Sequence, residues 1–363
     1  MSSSTATART EWLNPIGSRL AIPGRSNHFR RRWKLINRRN FAVTRFVATG
    51  TSIMTPSIAA ESSQGLQQLP FKQEGYNYWT WRGYKVHYVV EGEGFPVVMI
   101  HGFASSSFHW RYNIPELAKR YKVYALDLLG FGWSEKALTD YDALIWRDQV
   151  VDFLKEIVKQ PAILVGNSLG GFTTLLAAAA LPDQVEGVSL LNSAGRFGDD
   201  ISTTDKTEET ALHKFIVKPV EEIVQRVVVR LAFFLTMQPD QIEAVLKSGV
   251  YVNHSNVDDY LIDSIVRPAA DPNAYEVYYR LLTQLMSNPT KYTLDSVLSQ
   301  LSCPLLLLWG DLDPWVHDHG KPNRIRDFYP NTSLVNLQAG HYPQDEVPEQ
   351  VNKALLDWLS TLS

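Results

Sequence analysis

This sequence predicts an α/β fold, with a mostly parallel eight-stranded sheet flanked by helices and interrupted by one all-helical insertion. Three observations support it. Short runs rich in Val, Ile and Leu alternate with helix-length amphipathic stretches, the pattern of a sheet covered on both faces. The alternation stops between residues 196 and 290, where only helical periodicity is found, and then resumes. The bulk composition (363 residues, 45% hydrophobic, 20% charged) is that of a chain able to bury one large core.

The elements follow in order. Tyr76–Trp81 and Tyr84–Val90 alternate apolar and polar residues around Arg82–Gly83, predicting a β-hairpin. Pro96–Ile100, Tyr121–Leu128, Ala162–Val165 and Val185–Leu191 are buried-type strands, with helices expected near 114–120, 141–159 and 168–181. After the insertion come a strand at Pro304–Trp309, a helix at Lys321–Phe328, a strand at Ser333–Leu337 and a last helix at Pro348–Leu362. The core is thus expected over residues 70–195 plus 291–363. The insertion at 196–290 is expected to lie as a lid over the strands' carboxyl ends, where such sheets bind ligands.

The first 60 residues differ in kind. They hold ten basic residues and one acid, Glu11, for a net charge of +9, so the rest of the chain carries −12 of the overall −3. A basic, Ser/Thr-rich, acid-poor leader predicts an organelle transit peptide, unstructured and cleaved. The alternative is a basic arm for nucleic acid or anionic lipid, and the acidic body argues against nucleic acid. The single cysteine, Cys303, excludes an intramolecular disulfide and a cysteine-based zinc site. No apolar run reaches the roughly 18 residues of a spanning helix.

The sharpest chemical signal is Gly166–Asn167–Ser168–Leu169–Gly170, between the strand ILV and the helix FTTLLAAAA. A serine hydroxyl is a weak nucleophile unless held exposed beside a base. A G-x-S-x-G elbow holds it so, at a sharp strand-to-helix turn whose backbone N–H groups favour developing negative charge. An acid and then a histidine should follow in the chain. Asp313 lies in WGDLD just after the Pro304–Trp309 strand, and His341 lies in AGH just after Ser333–Leu337. Both sit at the same sheet edge as Ser168. Asp311 competes with Asp313 for the acidic role, and Asp313 is preferred because it clears the strand end. Backbone N–H groups of Leu169 and Phe103 are the candidate oxyanion donors.

Other residues read as structural. His101 and Asp127 end strands and are expected to make hydrogen bonds rather than catalyse. His317 and His319 lack a clear third metal ligand, and Gly130–Phe131–Gly132 lacks the third glycine of a dinucleotide loop. No metal or organic cofactor is therefore expected. In the insertion, Ile216, Val220, Ile223, Val224, Val227, Val228, Leu231 and Leu235 recur at helical spacing beside Phe233 and Phe234. The 215–235 face is expected to pack on the core, or in part to line a pocket for a long apolar substrate or rest on a membrane.

The stretches HGFASSSFHWRYNIPELAKRYKVYALDLLGFGWSEK, VGNSLGGF, NVDDYLIDSIVRPAADPNAYEVYYR, LLLLWGDLDPW and AGHYPQDEVPEQVNKALLDWL resemble the plant chloroplast α/β-hydrolases of the chlorophyll dephytylase and pheophytinase group. The resemblance covers about residues 70–363. It implies hydrolysis of the phytyl ester of chlorophyll to chlorophyllide and phytol at the thylakoid surface, with Ser168, Asp313 and His341 as nucleophile, acid and base. Where that group carries Cys after the histidine, this chain has Tyr342, a departure expected to alter the pocket rim. Two other readings of the residues stay open. One is hydrolysis of a carbon–carbon bond or of another carboxylic ester, and the other is a ligand receptor that retains the triad.

Overall fold

The structure is a computed structural model, and it describes residues 65–200, 218–287, 292–315 and 320–362. The leader at 1–60 and the histidines at 317 and 319 lie outside these residues.

Eight strands form one sheet: β1 (Asn77–Trp81), β2 (Tyr84–Glu91), β3 (Pro96–Ile100), β4 (Lys122–Leu126), β5 (Ala162–Asn167), β6 (Val185–Leu191), β7 (Leu305–Gly310) and β8 (Thr332–Leu337). Their spatial order is β1-β2-β4-β3-β5-β6-β7-β8. The pairs β1–β2 and β2–β4 are antiparallel, and the other five are parallel. The hairpin turn has Arg82 at φ 49° and Gly83 at φ 87°. Two consecutive positive φ values match the twist of the strands they join. Every residue of β3, β5 and β7 is buried, as expected of strands covered on both faces.

The helices of the framework are α1 (Ile114–Leu117), α2 (Ala143–Phe153) and α3 (Leu169–Ala180). The expected helix at 141–159 is shorter than its periodicity suggests. Asp142 caps it, its carboxylate accepting from the N–H groups of Leu144 and Ile145 at 2.9 Å each. Beyond Phe153 the chain widens into a π-type turn, Leu154–Val158, closed by Lys159 at φ 61°. The helix expected from Ser168 begins at Leu169, because Ser168 itself has non-helical torsions.

Between β6 and β7 the described residues contain no strand but four long helices: α4 (Lys218–Thr236), α5 (Pro239–Gly249), α6 (Asp259–Ala269) and α7 (Ala274–Ser287). The short helix α8 (Leu294–Leu298) leads back to the sheet, followed by α9 (Lys321–Phe328), α10 (Pro343–Glu346) and α11 (Pro348–Leu359). Two apolar clusters cover the two faces of the sheet, one around Trp81, Trp146 and Phe153 and the other around Phe108, Trp110 and Leu355. Burying each such side chain contributes roughly 1.5–3 kcal/mol.

The apolar stripe of α4 does not pack as one face. Phe233 is buried, but Val228, Leu231, Phe234 and Leu235 are exposed, and several other members of the stripe lie outside the described side chains. Helical periodicity fixes which residues share a face. It does not say whether a neighbour covers it.

Candidate active site

Parallel register brings the ends of β3, β5, β6, β7 and β8 to one edge. Ile100 stands opposite Gly166, Asn167 opposite Leu191, and Gly310 opposite Leu337. Each candidate residue follows one of these ends.

Ser168 sits at the β5–α3 corner with φ 54° and ψ −119°. Such a backbone costs about 1–3 kcal/mol and persists only where neighbours over-determine it. Here its N–H donates to the Leu191 carbonyl at 3.0 Å, and its carbonyl accepts from Ala194 at 2.9 Å. The elbow glycines are sterically required. A Cβ on Gly170 would lie 2.3 Å from the Ile100 oxygen, and one on Gly166 would lie 2.4 Å from the Gly170 oxygen.

The Ser168 hydroxyl lies 2.9 Å from Nε2 of His341, whose Nδ1 lies 2.7 Å from Oδ2 of Asp313. The carboxylate beside Nδ1 favours the tautomer protonated there, leaving Nε2 to accept the serine proton. Asp313, not Asp311, meets the histidine. Burial raises the Asp313 pKa. The hydrogen bond and charge of His341, with donors from Trp315 and Asn192, outweigh that effect and hold the carboxyl below its usual range. The amide of Asn192 donates to Asp313 Oδ2 at 2.9 Å, and its oxygen accepts from the Gly310 N–H at 2.8 Å. The Trp315 indole stacks on the His341 ring, with centroids 6.0 Å apart.

The loop after β3 lies directly against the elbow. A Cβ on Gly102 would be 3.1 Å from the Ser168 Cβ, so this glycine permits the close approach. Phe103 follows, then Ala104 at φ 53°, like Ser168 a non-glycine residue at positive φ. Leu169 opens α3, where the first N–H groups of a helix have no intrahelical acceptor. Phe103 and Leu169 thus flank Ser168 on two elements.

Sequence reasoning missed the braces of this site. The Asn167 side chain donates to the carbonyls of Leu191 and His341 at 3.1 and 3.0 Å, tying the elbow to the histidine loop. Tyr342, expected at the pocket rim, is instead buried. Its hydroxyl donates to the Phe103 carbonyl at 3.4 Å, and its ring meets those of His341, His109 and Tyr251.

His101 and Asp127 have structural roles. His101 accepts the Leu128 N–H at Nε2 (3.0 Å) and donates from Nδ1 to the Gly102 carbonyl (2.7 Å), so the ring is neutral, and burial lowers its pKa. Asp127 is fully buried and accepts from Ser107, Trp133 and His87 at 2.6–2.8 Å. Burial alone would raise its pKa, but these partners hold it far below the carboxylate range.

A clamp ties the insertion to the histidine loop. The fully buried Arg111 donates from Nε to Asp345 (2.8 Å), from one terminal nitrogen to Asp258 (2.6 Å) and from the other to the Asn256 carbonyl (2.5 Å). Tyr251 donates to Asp345, and Glu346 accepts from the N–H groups of Val252 and Asn253. The insertion also roofs a cavity with an empty volume of about 530 Å³, part of it open to solvent. Phe131, Phe233, Ile265, Pro268, Tyr278 and Leu281 give it an apolar lining. Ser168 is not part of that lining. The link is the oxyanion loop: Ala104 and Ser105 line the cavity, and the Phe103 ring packs on Phe131 and Tyr278 at 5.4 and 6.2 Å.

Comparison with known proteins finds hydrolases among the relatives. The chain is 28% identical over 320 residues to the chloroplastic pheophytinase of Arabidopsis thaliana, a match covering 77% of this chain and 64% of that protein, less than two thirds of its length. It is 30% identical over 282 residues to the uncharacterized hydrolase YugF of Bacillus subtilis (strain 168), covering 76% of this chain and 93% of the relative. A solved meta-cleavage product hydrolase of Pseudomonas fluorescens IP01 superposes with a TM-score of 0.63 at 21% identity, covering 80% of this chain and 100% of that one, a likeness of fold. The sequence model of the alpha/beta hydrolase family matches residues 97–354, and the chain belongs to that family.

Proposed function

We propose that the protein is a serine carboxylic-ester hydrolase that cleaves the phytyl ester of chlorophyll, giving chlorophyllide and phytol. The observation that carries the hydrolytic reading is the hydrogen-bonded chain from Ser168 through His341 to Asp313, at 2.9 and 2.7 Å.

In this mechanism Ser168 attacks the ester carbonyl while His341 takes its proton at Nε2. Asp313 holds the imidazole in its tautomer and stabilises the cation that forms. The backbone N–H groups of Leu169 and Phe103 receive the oxyanion, and the strained Ser168 and Ala104 torsions fix where those two loops stand. His341 then protonates the departing phytol, and a water activated by the same imidazole releases the acyl group. Serine, imidazole and carboxylate handle each proton and charge, so the scheme invokes no cofactor.

The substrate assignment rests on two supports. The cavity beside the oxyanion loop is mostly apolar, which suits a long hydrocarbon group better than a small polar diketone. Pheophytinase, one of the relatives, carries a chloroplastic name. In the same reading residues 1–60 are a cleaved chloroplast transit peptide, and residues 196–290 form a lid over the site, with the 215–235 face contributing Phe233 to substrate binding. The protein works as a peripheral enzyme at the thylakoid surface. No helix among the described residues is long and apolar enough to cross a membrane.

The test incubates the purified protein with chlorophyll a and with pheophytin a, beside the Ser168→Ala variant, and follows pigments and phytol by chromatography. Phytol release from chlorophyll by wild type alone is the expected result. Cleavage of p-nitrophenyl esters without cleavage of either pigment would retain the esterase and remove the pigment. A folded protein that hydrolyses no ester would favour the carbon–carbon hydrolase or the receptor.

A further inference from the structure

The cavity roofed by the insertion contains two polar groups that its apolar walls do not explain. Ser105 is buried, lines the cavity and has a hydroxyl with no hydrogen-bond partner in the protein. A buried hydroxyl without a partner costs about 1–3 kcal/mol. Lys136 lines the same cavity and is also buried. Lysine is almost never fully buried unless paired, and here its ammonium donates to two backbone carbonyls, Gly132 at 2.6 Å and Ser134 at 2.8 Å. Two of its three N–H groups are thereby taken. Burial lowers its pKa to about 8, against the opposing pull of Asp127 and Asp271.

Among the other polar side chains of the lining, Tyr278 packs its ring on Phe103 and Phe233. The Ser264 hydroxyl is spent on the Leu261 carbonyl at 2.7 Å. Ser105 has no such outlet. Its placement follows from the backbone: Ala104, at φ 53°, turns the chain between Phe103 and Ser105. One loop therefore carries both the candidate oxyanion donor and the unpartnered hydroxyl.

We propose that this cavity is a polar-anchored subsite that selects apolar ligands bearing a carbonyl oxygen, which accepts hydrogen bonds from the Ser105 hydroxyl and the Lys136 ammonium. An oxygen acceptor supplies what both groups lack, and the surrounding Phe131, Phe233 and Leu281 take up the hydrocarbon around it. The inference deepens the ester-hydrolase reading, from which it takes only that ligands reach this cavity. A hydrocarbon chain alone would leave the Ser105 hydroxyl unpaired, so the subsite discriminates against it.

The test is calorimetric titration of the full chain with butyrophenone and with butylbenzene, ligands that differ by one ketone oxygen. Wild type is expected to bind the ketone about fivefold or more tightly, the worth of one added hydrogen bond. The Ser105→Ala and Lys136→Met variants are each expected to narrow the ratio, and the double variant to bind the two ligands alike, each variant first shown to keep its thermal transition. Equal affinities in wild type, no binding of either ligand, or an unchanged ratio in both single variants would overturn the subsite. The esterase reading is judged separately by turnover of p-nitrophenyl butyrate, whose absence leaves the binding ratios decisive for the subsite alone.

Discussion

Ser168 holds an uncommon backbone conformation because bonds from Leu191 and Ala194 leave it no other, and the hydroxyl is thereby presented to His341. Ser168→Ala is expected to remove ester turnover by about 10⁶-fold, in line with the removal of an acting nucleophile, with the thermal transition unchanged. Asn192 tests the acid. The Asn192→Leu variant loses the 2.9 Å bond to Asp313 and leaves the Gly310 N–H unpaired. Bonds to charged groups are worth about 1.5–3 kcal/mol, so kcat is expected to fall about 10–100-fold with KM little changed. A parallel rise in KM would place Asn192 in substrate binding instead. Cys303 offers a contrast: burial pushes its thiol up to about 11, so it stays protonated at neutral pH. Alkylation by iodoacetamide is expected only after denaturation.

At the scale of elements, close packing of strand ends assembles the site. A Cβ on Gly170 would press on two backbone oxygens, of Ile100 and His101, while one on Gly249 would meet nothing within 4 Å. Gly170→Ala is expected to abolish activity or folding, and Gly249→Ala to be tolerated. Similar activity in the two variants would contradict the elbow geometry. The clamp on the insertion is as exposed to change. Arg111→Met leaves the fully buried Asp345 without its cation, expected to cost about 3–5 kcal/mol in a denaturant titration. These braces explain what was legible in the sequence and what was not. The placing of Ser168, Asp313 and His341 at one sheet edge could be read because each lies within four residues of the end of a strand. Arg111 and Asp345 lie 234 residues apart, and nothing local in either segment announces the pairing. Asn167 and Asn192 were missed for the same reason, since each looks like an ordinary strand-end polar residue. The α4 stripe could be read as amphipathic, but the exposure of Leu231 and Leu235 depends on packing that periodicity does not encode.

At the scale of the whole molecule, buried neutral histidines set the response to acid. His109 is buried, and burial pushes it down to about 3, with His101 and Arg111 adding to the effect. In the unfolded chain the same ring titrates near its ordinary value of about 6.5. Between these values the unfolded state binds the extra proton, so stability falls as pH falls. From pH 7 to pH 5 the loss is about 2 kcal/mol for this residue. Asp127 and Asp313 have depressed pKa values, so their contribution is retained above the ordinary carboxylate range and lost only below it. Burial pushes the carboxyls of Asp345 and Glu346 up, which acts in the opposite direction to His109. The His109→Phe variant isolates the histidine, and its denaturation midpoint is expected to change less between pH 7 and pH 5 than that of wild type. Equal slopes would show that His109 is not held neutral.

The most direct test of the central claim is covalent. The protein is incubated with a fluorophosphonate, which reacts only with an activated serine, and the adduct is located by peptide mass spectrometry, with His341→Ala run in parallel. The expected result is one adduct, on Ser168, formed at a rate that collapses when His341 is replaced. Labelling of another serine, or none on folded protein, would contradict the account of a Ser168 nucleophile activated by His341 and Asp313.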